Sequence, residues 1–389
     1  MTERHSTERP ARGIRTGTSS HADPRAAAAE LAARLQPEPG GLSVVFCSPR
    51  FDPDAIAAAL GEQLGAAPLI GCTTSGEIGP DGYQEGSVVG VHFAAGELAF
   101  EVGALEGVST LDGRRMAAFA HDLRTRLRTR HPLLQTDRYF ALMLVDGLCT
   151  REESVVRAFH DGLGRTPLSG GSAGDGLRFT DTRVIFGGRA LRDAAVLLIA
   201  HPRRAVTVFK TQHFRATDSR LVVTGAVPEK RVVTEINGCP AADEYARALG
   251  IGVDALTPEV FAAHPLVVHI GGVDFVRSIL RANPDRSLTF FCAIDRGIVL
   301  KIARGDDLIG NLQAALDGAR TEIGRPALVL GCDCVLRMLE CRRAGIADEV
   351  GQLLKENRVI GFNTFGEQYR GMHINQTFTG IAFGEEIEE

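Results

Sequence analysis

The chain has no tryptophan and only four tyrosines among its 389 residues, so its aromatic packing rests on 19 phenylalanines. No apolar run approaches the roughly 18 residues that a membrane-spanning helix needs, so no membrane association is expected. Met1 to Pro24 is polar and rich in Arg, Ser and Thr. Without an apolar h-region it does not read as a secretory signal, and a partly disordered lead-in and a cytoplasmic location are expected. The net charge of −5 gives no general attraction to nucleic acid. There is no Gly-x-x-x-x-Gly-Lys and no Gly-x-Gly-x-x-Gly after a strand, which removes the common nucleotide-binding loops. The Gly-x-Ser-x-Gly elbow of many hydrolases is absent as well. So are helix-turn-helix, kinase and cyclase signatures, so any signal must leave through a separate partner.

Eight cysteines in a long chain without a signal suggest reduced thiols. Cys47, Cys292 and Cys332 sit in or beside strand-like runs and read as small buried hydrophobes. Cys332, Cys334 and Cys341 lack the Cys-x-x-Cys spacing of zinc ribbons, and no fourth ligand is in sight.

What is present is a repeat. GFNTFGEQYRGMHINQTFTGIAF, from Gly361 to Phe383, has the grammar of GCTTSGEIGPDGYQEGSVVGVHF, 290 positions earlier from Gly71 to Phe93. Without a gap, Gly71/Gly361, Thr74/Thr364, Gly76/Gly366, Glu77/Glu367, Gly90/Gly380 and Phe93/Phe383 coincide. A looser third copy, PLSGGSAGDG from Pro167 to Gly176, matches PLIGCTTSGE from Pro68 to Glu77 with one residue deleted. Self-similarity of this kind decides how the rest is read.

Each copy closes a strand-helix-strand unit. Leu42 to Cys47 is a strand, Asp52-Pro53 opens a helix with Asp as N-cap and Pro in the first turn, and Ile56, Leu60 and Leu64 form its buried stripe. Pro68 to Ile70 then delivers the first turn. Tyr139 to Val145, the helix Arg151 to Leu163 and the turn at Gly170 repeat the unit, and Pro326 to Gly331 with Val359-Ile360 supply its third copy. Ser87 to Phe93 and Leu98 to Val102 read as an antiparallel pair, with Val184 to Phe186 and Ala194 to Ala200 as their counterparts. Gly113 to Arg130 is a helix whose arginines read as a solvated outer face rather than a nucleic-acid contact. The expected class is α+β, layered mixed sheets with packed helices in two domains: a lead-in at 1–16, then 17–226 and 227–389.

Two chemical readings of the turns stay open. Glycines supplying positive φ and hydroxyls capping the turns make them structural. Alternatively, their backbone N–H groups with Thr74, Glu77, Thr364 and Glu367 bind a small polar metabolite such as an amino acid. A weaker hydrolase reading centres on Ser172 or Cys72.

Gly17-Thr18-Ser19-Ser20, Pro68 to Glu77, Val145-Asp146 with Ser169-Gly-Gly-Ser172, and the closing NQTFTGIAFG resemble the FIST family (F-box and intracellular signal transduction). The stretch from His213 to Thr224, with Thr234 to Asn237 and Glu244 to Arg247, is similar to its bacterial nitric-oxide-sensing haem proteins. That resemblance implies a sensor and not an enzyme, non-covalent haem b since Cys-x-x-Cys-His is absent, nitric oxide as signal, and a histidine kinase or cyclic-di-GMP enzyme as partner. A homo-oligomeric state stays open. The resemblance itself assigns no axial ligand; among the chain's histidines the expected one is His213, beside Phe214 in that stretch, with His373 second and His269 third.

Overall fold

The computed structural model describes residues 13–270 and 273–385. Among these residues, three six-stranded sheets and one nine-stranded sheet carry the fold. Each six-stranded sheet has the same order, and the repeat explains why. In the first, the edge strand Ile14–Ser19 pairs with the return strand Val88–Phe93, which pairs with the central strand Leu42–Cys47, itself parallel to Leu69–Thr73. In the second, the sequence of strands is Leu98–Glu106, Ala194–Pro202, Phe140–Val145 and Leu168–Ser172. In the third it is Val206–Thr211, Phe378–Gly384, Pro326–Cys334 and Val359–Thr364. Central strands are buried at every position, which is why they read as continuous apolar runs rather than alternating ones.

The hairpin that follows each turn leaves its own unit. Glu77–Gly79 and Gly82–Gln84 add to the third sheet beside Val359–Thr364. Glu367–Tyr369 and Met372–Ile374 add to the second beside Leu168–Ser172. Val184–Phe186 and Arg189–Leu191 add to the first beside Leu69–Thr73. The three units therefore exchange arms in a closed cycle. This corrects the expected pairing of Leu98 to Val102 with Ser87 to Phe93: Leu98–Glu106 opens the second unit against Ala194–Pro202. Ala194–Pro202 is thus the counterpart of Val88–Phe93, and Val184–Phe186 that of Glu77–Gly79. The strand Ile14–Ser19 also begins inside the stretch expected to be a lead-in, whose first twelve residues lie outside the described ones.

The inner faces of the three sheets share one apolar core, with Phe46, Phe93, Phe140, Phe362 and Phe383 at its centre. Phe46 stacks on Phe362 at 4.7 Å between ring centroids, and Phe93 and Phe140 each lie 5.3 Å from Phe383. Helices cover the outer faces. Pro24–Leu35 and Pro53–Leu64 cover the first sheet, Gly113–Arg130 and Glu152–Leu163 the second, and Leu308–Ile323 with Ala347–Glu356 the third. Asp23 and Asp52 cap the first pair, each accepting from the N–H three residues on, with a proline in the first turn. An extra helix, Val335–Ala344, follows the third central strand directly.

The nine-stranded sheet is an insertion in the third unit, between its edge strand Val206–Thr211 and its helix Leu308–Ile323. It has its own core around Val223, Tyr245, Phe261 and Phe290. The insertion docks on the end of the three-unit body where the turns meet.

Candidate ligand site

The first glycine of each repeated motif is there for close approach, not for positive φ. A Cβ on Gly71, Gly170 or Gly361 would stand 2.1, 1.9 or 1.8 Å from a carbonyl oxygen of the neighbouring strand, that of Val45, Met143 or Gly331. No side chain fits there. With the strands this close, the turns interlock through backbone hydrogen bonds. Ser75 N–H donates to Asn363 O at 2.9 Å and Asn363 N–H to Gly76 O at 2.8 Å. Ser172 N–H donates to Gly366 O at 2.8 Å and Phe365 N–H to Ser172 O at 3.2 Å, while Gly174 N–H donates to Thr73 O at 3.0 Å. Turn one holds unit three, turn three holds unit two, and turn two holds unit one.

The Thr and Glu of the motif serve that ring. The Glu77 carboxyl meets Thr74 Oγ1 at 2.5 Å, and its other oxygen accepts from Ser87 N–H at 2.9 Å and Ser87 O–H at 2.8 Å. Glu367 does the same with Thr364, and with Thr377 N–H at 3.1 Å and O–H at 2.6 Å. Burial pushes Glu77 up to about 7 and Glu367 up to about 8. The Thr74 hydroxyl also points at Cys47 O, 3.2 Å away. The Thr74 hydroxyl has these two acceptors to choose between, the shorter contact being to Glu77. Both carboxyls are thus engaged in their own turns, although Glu77 also lines a cavity.

One group of side chains without partners lies at the seam between the closing hairpin and the insertion. Gln368, Asn375 and Gln376 are fully buried and His373 is 4% exposed. Among the described residues, Gln368 Oε1, His373 Nε2, Asn375 Oδ1 and Gln376 Oε1 have no hydrogen-bond partner. Two of the amides are oriented by carbonyls: Asn375 Nδ2 donates to Phe365 O at 3.4 Å and Gln376 Nε2 to Ala262 O at 2.6 Å. Their own oxygens therefore remain acceptors. Gln368 Nε2 lies 2.9 Å from Ser172 Oγ and 3.1 Å from His373 Nδ1. With Nδ1 accepting, the neutral ring presents Nε2–H as a donor. Burial holds His373 down at about 4, with Arg231 and Arg277 adding to it, and Glu153 and the Phe291 backbone beside the ring opposing.

From the insertion comes Arg231, which donates to Phe291 O at 2.6 Å, to Glu152 at 2.5 Å and to Glu153 at 2.6 Å. Ser278, fully buried, has an unpartnered hydroxyl. Phe179 stacks on Phe365 at 4.6 Å and meets Phe291 edge-on at 5.7 Å, so each of the two bodies and the second turn contributes one ring. Phe179 and Gln376 hold φ of 53° and 52°, a backbone cost of about 1–3 kcal/mol each that elsewhere marks functional sites.

Family models match most of the chain: the FIST N domain over residues 41–239 and the FIST C domain over residues 241–370. The chain belongs to the FIST family. No curated protein matches it. Among solved structures, cyanuric acid hydrolase from A. caulinodans is similar at 9% identity and a TM-score of 0.40, over 96% of this chain and 99% of that one. FIST domains mark a family of signal-transduction sensors, and the observed α+β fold agrees with the expected class. No helix among the described residues is long and apolar enough to cross a membrane.

For this FIST chain, His213 sits away from the seam, in a buried ionic chain. Its Nε2 is 3.0 Å from both Glu340 oxygens and its Nδ1 3.3 Å from Arg337. Arg337, fully buried, donates to Asp333 at 2.8 Å, and Asp333 accepts from Tyr83 O–H at 2.5 Å. The adjoining cavity, about 270 Å³, is lined by Gln212, Arg215, Asp306, Asp307 and Asn311, with Phe214 beside His213. A haem iron needs a free imidazole nitrogen and an apolar slot, so His213 as it stands does not fit. His373 Nε2 has no hydrogen-bond partner among the described residues, though its ring packs against Gly366, where a Cβ would stand 2.7 Å from that nitrogen. His269, itself exposed, is bonded to Asp274 at 2.7 Å. Cys72 is fully buried and burial raises its thiol well above the ordinary range, whereas a nucleophilic thiolate needs a lowered one. Ser172 Oγ is buried behind Gln368, which stands between it and His373. No group of three or more potential ligands that could hold a metal ion occurs among the described residues, the three late cysteines included.

Sequence reasoning named His373 but missed Gln368, Asn375, Gln376, Arg231 and Ser278. The polar run Asn375-Gln376-Thr377 inside an otherwise apolar closing stretch was the available signal for two of them. Arg231 and Glu152 are 79 positions apart and left none.

Proposed function

We propose that this chain is a sensor module whose small polar ligand binds in the seam between the three-unit body and the insertion. The observation that carries this is that four buried polar atoms of one hairpin and the residues just after it lack hydrogen-bond partners among the described residues. Each would cost about 1–3 kcal/mol if left unsatisfied, and native proteins rarely keep such groups without water or ligand. Asn375 and Gln376 offer acceptors, and His373 Nε2–H and Arg277 offer donors. A zwitterionic or amide-bearing metabolite of amino-acid size matches that set. A ligand held by both bodies changes their relative arrangement only to the extent that it binds one arrangement better. The output goes to a partner, for which a histidine kinase or a cyclic-di-GMP enzyme is the candidate class.

The test is a thermal-shift screen against an amino-acid and amide library, since saturating ligand at about a hundred times its Kd adds about 2.7 kcal/mol. Hits should vanish in His373→Ala and Asn375→Ala; hits that survive both would reject the site.

A second reading keeps non-covalent haem b and nitric oxide, with His373 rather than His213 as iron donor. The free, buried Nε2 and the three adjacent phenylalanines favour it. Turned by half a rotation, the Gln368 amide would accept from Nδ1–H and leave Nε2 as a lone pair, the usual support for a ligating histidine. Protein made with haem available should then show a Soret band that nitric oxide moves and His373→Ala abolishes. No band, or one unchanged by that substitution, removes this reading.

A further inference from the structure

A cavity of about 400 Å³ lies where the first and second turns meet, lined among others by Ser75, Arg50 and Arg178 and by the carboxylates of Glu77, Glu85 and Asp175. It is the first unit's counterpart of the seam just described. Advancing by 290 positions carries Ser75-Gly76 onto Phe365-Gly366 and Glu85-Gly86 onto Asn375-Gln376. In the third unit those positions are covered by the insertion, with Gln376 on Ala262 O and Phe365 near Phe291. In the first unit the loop carrying Arg178 stands alongside instead and leaves a cavity.

Two guanidinium groups face this space, and both are held in place without being neutralised. Arg50 Nη2 donates to Ser20 O at 2.7 Å and His21 O at 2.5 Å, and its guanidinium lies 4.6 Å from the Phe51 ring centre. Arg178 donates to Asp175 O at 3.1 Å and Pro49 O at 3.0 Å. Among the described residues neither has a carboxylate within salt-bridge distance. The acidic neighbours are engaged elsewhere. Glu85 pairs with Arg342, Glu77 is locked in its turn, and Asp175 accepts from the N–H groups of Phe179, Thr180 and Asp181 at 2.7–2.9 Å. Gly86, at φ 68°, brings the chain against Arg50, whose Nη1 would lie 3.3 Å from a Cβ there. Ser48 Oγ accepts from Arg50 N–H at 3.4 Å, so its own O–H is left to donate.

We propose that this cavity is a second binding site, and that it takes a phosphoryl group, either free phosphate or the phosphate of a small metabolite. Separate guanidinium forks, each with N–H groups to spare, match a tetrahedral anion that accepts on several sides. A planar carboxylate is satisfied by one fork alone. Positive charge without a partner, backed by glycine turns that bring main chain close, is the arrangement that attracts such a group.

The experiment is calorimetric titration of the full chain at low ionic strength, where the charges are least screened, with inorganic phosphate, glycerol 3-phosphate and acetate as probes. Saturable binding of inorganic phosphate supports free phosphate as ligand, and binding of glycerol 3-phosphate alone supports an ester. In either case Arg178→Ala and Arg50→Lys should each weaken it about tenfold, the loss of one charged hydrogen-bonding partner. His373→Ala should leave it unchanged, which keeps this site separable from the seam. Arg50 also anchors the Ser20 and His21 carbonyls, so melting by circular dichroism accompanies its variant, and Arg178→Ala stands alone if Arg50→Lys melts early. The proposal fails if neither phosphate compound saturates by about 10 mM, a bound near the weak end of specific affinities. It fails equally if Arg178→Ala binds as tightly as the parent, or if acetate matches the phosphates.

Discussion

Arg231→Met would remove the cation that joins the insertion to the second unit. Arg231 is 8% exposed, and it bridges Glu152, 2% exposed, and Glu153. Met keeps much of the volume and none of the charge, so two carboxylates are left without their partner. Breaking one side of a buried pair costs about 3–5 kcal/mol, because the remaining charge has lost its solvent and gained nothing. That figure applies when the carboxylates are ionised. Burial already raises Glu152 to about 7 from its ordinary 4.5, against the pull of Arg231, and without Arg231 it rises further. The variant therefore binds a proton that the parent does not, and its deficit grows as pH rises through that window. At about pH 5.5 protonation limits the loss to about 1–2 kcal/mol, and by about pH 8 it should be clearly larger, approaching the full figure only as the variant's Glu152 ionises. Urea unfolding at both pH values, followed by circular dichroism since there is no tryptophan, measures both numbers. Arg231→Met with Glu152→Gln should recover part of the loss. Equal losses at both pH values, or a loss under about 1 kcal/mol at the higher one, would refute the reasoning, because a screened surface pair behaves that way.

Other consequences follow from the ring of turns and the shared core. Gly361→Ala places a Cβ 1.8 Å from Gly331 O, and should cost at least about 3 kcal/mol since backbone cannot move aside as a side chain can; an unchanged thermal midpoint would contradict this. Glu77 and Glu367, raised by burial to about 7 and about 8, bind protons more tightly folded than unfolded. Their contribution is complete below about pH 4.5 and is lost as pH climbs through 7 and 8, so stability should fall over that range. Glu77→Gln with Glu367→Gln should flatten the profile; a slope that persists would assign it to other groups. Phe46→Ala empties a site stacked on Phe362 across two sheets, with an expected loss of about 3–5 kcal/mol in urea unfolding, and a loss below about 1 kcal/mol would mean the sheets re-pack.

Much of the architecture was legible because periodicity and punctuation are local. Continuous apolar runs named the central strands, Asp-Pro pairs placed helix starts, and a 290-residue offset exposed the repeat. What each repeat did with its hairpin was not legible. Glu77–Gly79 pairs with a strand more than 280 residues away, and nothing in a three-residue strand says which sheet edge will accept it. The same limit hid the insertion's docking, since Arg231 meets Glu152 only after three units have closed.

The sequence by itself determined the family, the α+β class, the repeated turn and the strands that feed it, since each depends on residues within one short window. It also narrowed the histidines to a few. Only the tertiary structure shows which of their nitrogens are engaged, because that depends on what the rest of the chain brings within about 3 Å. It took both nitrogens of His213 with Glu340 and Arg337 and left Nε2 of His373 without a partner. It also turned the motif's Thr and Glu inward, since an arm-exchanged ring needs its carboxyls to close its own turns.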